Sequence, residues 1–117
     1  MPLVTVETPS GPVAINPADV FCIVPEPQTP AQDCDIRYDA PRSVLALQTA
    51  ERVAQIFAAD FRRLSAASRD FDDVWINPLR VTSVVPHPQV AAVCFVLSAA
   101  RKIAVRGDLQ AVVRALA

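Results

Sequence analysis

The sequence predicts an α+β domain of two tandem β-rich units, each a strand, an Asn-Pro turn, a strand and a hairpin closed by one helix, packed as a pseudo-symmetric single domain. Three observations predict it. Residues 15–27 read INPADVFCIVPEP and residues 76–88 read INPLRVTSVVPHP, identical at seven of thirteen positions, where an alignment of unrelated windows matches at about one. Short β-branched runs punctuated by proline and turn residues recur through both halves, which is how strands read. Helical periodicity is confined to two segments, one closing each half. At 117 residues the expectation is one domain over 1–117, with unit one at about 3–66 and unit two at about 72–117; a chain of this size buries roughly two thirds of its unfolded surface.

The elements follow in order. LVTVE at 3–7 alternates and reads as a strand, TPSG at 8–11 as a turn, and PVAI at 12–15 as the returning strand. Pro17 holds Asn16 in extended geometry and suits the first corner of a turn, while the Asn16 side chain can bond local backbone; Asn77 and Pro78 repeat the device. DVFCIV at 19–24 is apolar enough for a buried strand, ended by Pro25 and Pro27. After a polar, proline-rich loop at 25–33, CDIRYD at 34–39 and SVLAL at 43–47 form a hairpin, and Asp33, Asp35 and Asp39 place charge on an expected edge strand. From the N-cap Thr49, AERVAQIFAADFRRL sets Val53, Ile56, Phe57, Phe61 and Leu64 on one helical stripe. The second half is expected to replay this with strands at 73–76 and 80–85, a hairpin of 90–97 and 101–106, and an Asp108-capped helix at 109–117. Only the first half is expected to carry an additional leading strand.

Composition bounds function. A net charge of −1 provides no overall basic field of the kind that draws proteins onto nucleic acid or anionic membranes. Three cysteines, Cys22, Cys34 and Cys94, lack Cys-x-x-Cys spacing and nearby histidines, so they read as buried, reduced thiols rather than zinc ligands or a disulfide framework. The N-terminus lacks a basic start and apolar run, and VAAVCFVLSAA at 90–100 is too short to span a bilayer. The expectation is therefore a protein without membrane insertion, cytoplasmic or incorporated into an intracellularly assembled particle such as a virion, and not secreted. Apolar residues at 52% and a mean hydropathy of +0.30 suggest a surface buried against a copy or another protein.

A resemblance attaches to VWINPLRVTSVVPHPQ and VCFVLSAARKIAVRGDLQAVVRAL. This segment resembles the FlbD/SwrD-type small proteins of flagellar operons, through Asn77, Pro78, Val81, Ile103, Val105 and Val112 over about 72–116, and less clearly over 4–57. It departs from them in having two copies, and in Ala99-Ala100 where such proteins tend to place Asn-Gly. A fainter resemblance is to the LytTR class of DNA-binding domains, which share an Asn-containing β-rich layout.

Chemistry is sparse in the sequence. His87, the sole histidine, lies between Pro86 and Pro88 and reads as a surface residue, since no nucleophile, base and orienter surround it. Gly11 and Gly107 are the only glycines, so no phosphate-cradling loop can be written. Asp70, Asp72 and Asp73 lack the spacing of a calcium loop and read as a turn cluster. No catalytic, cofactor-binding or metal-binding residue is therefore assigned, and no enzyme is expected. The site residues proposed are the structural turns at Asn16, Pro17, Asn77 and Pro78, and a candidate interface at Trp75, Phe95, His87 and Pro88, of which Trp75 and Phe95 fall on expected strands and read first as core, with interface anchoring second. The main reading is a structural or assembly subunit, a virion component or flagellum-associated adaptor, packing against itself or a larger assembly. The alternative is a LytTR-like nucleic-acid-binding regulator using Arg101, Lys102, Arg106 and Arg114, supported by Arg62, Arg63 and Arg69 at the expected end of the first helix. Nucleic acid is the less expected partner, because aromatics do not interleave with that patch.

Overall fold

The computed structural model describes residues 3–57 and 60–117. Its centre is the most apolar strand of the sequence, β3 (Val20–Pro25), whose first five residues are all buried. A strand apolar at every position must be covered on both faces, and β3 is. It lies in the middle of a five-stranded antiparallel sheet of order β5-β4-β3-β7-β6, with β4 at Cys34–Tyr38, β5 at Ser43–Ala46, β6 at Arg62–Ser65 and β7 at Asp73–Ile76. A register shift between Val20 and Cys22 sends the consecutive residues Phe21 and Cys22 into one core cluster, as a bulge does.

Each face of this sheet has its own core. On one side Phe21, Cys22, Val24, Leu64, Val74 and Ile76 pack with Cys94, Val96, Ile103 and Val105 and with Val112. Those partners come from a three-stranded sheet of β8 (Ser83–Pro86), β9 (Val93–Leu97) and β10 (Lys102–Arg106), and from helix α2 (Leu109–Leu116). On the other side Val20, Ile23, Cys34, Ile36 and Trp75 pack against Val6 and Ile15 of a separate hairpin, β1 (Val4–Thr8) and β2 (Gly11–Ile15), and against Ala50, Val53 and Phe57 of α1 (Ala50–Phe57). The class is α+β, mostly strand with two helices. No helix of the described residues is long and apolar enough to cross a membrane.

The Asn-Pro turns behave as their chemistry dictates. Asn16 (φ −87°, ψ 110°) and Asn77 (φ −86°, ψ 108°) are extended, and each side-chain oxygen caps a 3-10 turn opened by the following proline. Asn16 Oδ1 accepts from Ala18 N and Asn77 Oδ1 from Leu79 N, both at 3.1 Å. The Asn77 amide also reaches back, donating from Nδ2 to Val20 O at 3.0 Å and Pro17 O at 3.4 Å.

Three expectations are corrected. The first helix ends at Phe57 rather than running through residue 64, and Arg62–Ser65 form strand β6; the expected helical residues Ala58 and Ala59 lie outside the described residues. Leu64 explains why: it belongs to the core on the opposite side of the sheet from Val53 and Phe57, and one straight helical stripe cannot serve both. The leading strand is thus not confined to the first half. Nor is β4 an edge strand, being paired on both sides by β3 and β5. The succession of two strands, a 3-10 turn, three strands and a helix occurs twice, but the pairing differs: β7 joins β3, whereas β2 is paired with β1 among the described residues.

Candidate nucleic-acid interface

The near-neutral total conceals a separation of charge along the chain. Residues 78–117 carry Arg80, Arg101, Lys102, Arg106 and Arg114 against one carboxylate, Asp108, while residues 1–77 carry six arginines against eleven carboxylates. The cationic stretch is the one that builds β8, β9, β10 and α2.

Within it the cations divide by task. Arg101 is engaged by the fold: its Nε donates to Tyr38 O (2.8 Å) and Ala40 O (2.9 Å), and its Nη2 to Arg42 O (2.7 Å), so the guanidinium clasps the β4–β5 turn. Arg80 likewise donates to Ala18 O and pairs with Asp19 at 3.0 Å, tying one 3-10 turn to the other. Arg106 gives one donor, Nε, to Ala66 O at 3.1 Å, yet the residue remains exposed. Lys102 and Arg114 are exposed. Arg62 and Arg63 sit on β6, not on a helix end; Arg62 donates to Ala117 O, and Arg63 pairs with Asp73 at 2.8 Å with its guanidinium 5.2 Å from the Trp75 ring. Arg69 lines a cleft with Asp70, Asp72 and Asp73, where the acidic excess disfavours phosphate.

The outer face of the three-stranded sheet gathers the rest. Alternation along β10 places Lys102, Ala104 and Arg106 on the side away from the buried Ile103 and Val105. The ladder puts Ala104 and Val85 on either side of Phe95, and Leu97 beside Lys102 and Ser83. Phe95 is half-buried, Val85 is 46% exposed, and the Lys102 ammonium lies 4.9 Å from the Phe95 centroid. His87 packs its ring against Phe95 at 5.0 Å. Its Nδ1 accepts from the backbone N–H of Gln89 and of Val90, both at 3.0 Å, which fixes the ring. Pro88 is exposed beside it.

The sequence-proposed interface residues therefore separate. His87, Pro88 and Phe95 gather at one sheet face, whereas Trp75 is buried in the other core. The expectation that no aromatic accompanies the basic patch is corrected: Phe95 and His87 share a face with Lys102 and Arg106. Period-two alternation along 93–97 and 102–106 carried that signal, once the hairpin register was known. The three cysteines are buried and free; burial pushes the Cys22 and Cys34 thiols up to about 12.

Among sequence comparisons, no family profile and no curated protein matches the chain. Among solved structures, the fold is similar to a LytTr DNA-binding domain from Bacillus cereus, with a TM-score of 0.64 over 99% of this chain and 96% of that one, at 10% sequence identity. The fainter of the two resemblances in the sequence is thus the one that the fold supports, and the FlbD/SwrD likeness gains no support. The same finding overturns the reading as a structural or assembly subunit, with the partner expected to be itself or a larger assembly, and the ranking of nucleic acid as the less expected partner. Incorporation into a virion is likewise unsupported.

Proposed function

We propose that this chain is a non-catalytic DNA-binding module of a regulatory kind, docking through the cationic unit formed by β8, β9, β10 and α2. One observation carries the reading. A fold similar to a DNA-binding domain here places three exposed cations, Lys102, Arg106 and Arg114, on the unit with a single carboxylate. An acidic remainder then repels the phosphate backbone and orients the approach. His87 supports a binding rather than catalytic role, since its Nδ1 is engaged by two backbone amides. The recurring order of elements and the matched Asn-Pro dihedrals support one domain of two duplicated units, with β6 as the leading strand of the second.

The test is fluorescence anisotropy of a labelled random-sequence duplex across a salt series. Binding with a log-log salt slope of about −3 is expected for three phosphate contacts. Lys102→Ala and Arg106→Ala should each reduce that slope by about one. Arg101→Ala should lower stability and leave the slope unchanged. Absence of salt-dependent association with both this duplex and its separated single strand, down to about 50 mM salt, would sink the reading.

A further inference from the structure

We infer that the outer face of the β8–β9–β10 sheet is a stacking platform for unpaired bases, so that the preferred ligand at this site is single-stranded rather than duplex DNA. The inference rests on the DNA-binding reading and narrows its substrate.

The argument begins with placement. Phe95 is the middle residue of the middle strand, flanked across the ladder by Val85 and Ala104. On the β10 side the neighbour is Ala104, which adds no side chain tall enough to wall the half-buried ring off. The next positions along β9 on the same face, Val93 and Leu97, extend the apolar row to a length of about 13 Å. His87 adds a second ring 5.0 Å from the first, held by its two backbone hydrogen bonds. A preordered pair of rings on an open sheet is what successive bases stack on, and every base offers a π-face.

Charge supplies the second half. Lys102 and Arg106, four residues apart on β10, lie one on each side of the Phe95–Ala104 pair, about 13 Å from each other. A backbone running along β10 with its bases laid across β9 would meet a cation at each end of the platform. Lys102 now rests 4.9 Å from the Phe95 centroid; a long, flexible side chain can leave the ring for a phosphate as a base arrives. A duplex cannot use the platform, because its bases are already stacked and present only their edges.

The experiment compares a labelled 12-mer of single-stranded DNA with its own duplex by anisotropy, using the full chain and Phe95→Leu, Phe95→Ala and Lys102→Ala. Phe95→Leu keeps the apolar volume and removes only the π-face, so it separates stacking from folding, and thermal melting reports whether each variant is folded. The expected result is tighter binding of the single strand, weakened about five- to hundredfold by Phe95→Leu with the salt slope unchanged. Lys102→Ala should instead reduce the slope by about one. Equal single-strand affinity for Phe95→Leu and the parent chain overturns the platform. If the duplex binds as well as or better than the single strand and ignores Phe95, the platform falls while the DNA-binding reading stands. If neither form binds at low salt, both fall.

Discussion

Asn16 and Asn77 occupy turns with the same dihedrals, and their substitution should nonetheless differ in cost. Both cap a 3-10 turn, a contribution of about 1 kcal/mol. Asn77 alone is 2% exposed and also donates to Val20 O and, more weakly, to Pro17 O, so Asn77→Ala removes a buried cross-contact as well as the cap, although Pro17 O keeps the Val20 N–H. We expect Asn77→Ala to cost about 2–4 kcal/mol in urea unfolding and Asn16→Ala about 1 kcal/mol; equal losses would mean that the cross-contact contributes nothing. Cys22 and Cys34 make a pH prediction. Burial raises both thiols from an ordinary 9.0 to about 12. The folded state therefore keeps protons that the unfolded chain gives up, and stability is fully present below pH 9.0 and falls from there toward about pH 12. The slope should reach about 1.4 kcal/mol per pH unit for each thiol. Chemical denaturation at a series of alkaline pH values measures it, and Cys22→Ala should shallow the fall.

At the scale of elements, the loop from β8 to β9 stores strain. Ala92 has φ +56°, a left-handed conformation that costs a non-glycine residue about 1 kcal/mol, and its carbonyl accepts from Gly107 N at 2.7 Å. Ala92→Gly should raise the urea midpoint, by about 0.5–1 kcal/mol in stability. Gly107→Ala should lower it: Gly107 has φ +129°, and an added Cβ would lie 3.3 Å from Val112 Cγ2. The contrast between α1 and β6 shows what was legible in the sequence. The spacing of Val53, Ile56 and Phe57 carried a helix correctly, because one face met one core. Phe61 and Leu64 continued the same spacing, but Leu64 serves the other side of the central sheet, and periodicity cannot say which of two cores a residue enters. The strand succession of 73–106 was readable from proline punctuation and alternation. That β4 would be interior was not, since its Asp35 and Arg37 pair with each other at 3.0 Å on a half-buried face and read locally as edge chemistry. Arg101 was legible as a cation and not as a clasp, because its three carbonyl partners lie about sixty positions away.

For the whole molecule, charge separation is the property that matters, and a net value of −1 concealed it. With the cations of residues 78–117 on one sheet-and-helix unit, the mutational response should be directional. Lys102→Glu should abolish DNA binding at moderate salt, whereas Arg52→Glu, on α1 within the acidic portion, should leave it within about twofold of the parent; the same anisotropy assay reads both, and equal effects would show that only total charge counts. The pairing of β3 with β7 has a further consequence, for synthesis. Cys22 and Ile23 face Ile76 and Trp75 across that ladder, so the most apolar strand of the chain leaves the ribosome some fifty residues before the strand that covers its edge. Until then the nascent first half presents an unpaired, apolar strand edge, the feature that invites misassembly between neighbouring chains. The interval of greatest risk to this protein thus falls during translation, before the strand that closes its central sheet has been made.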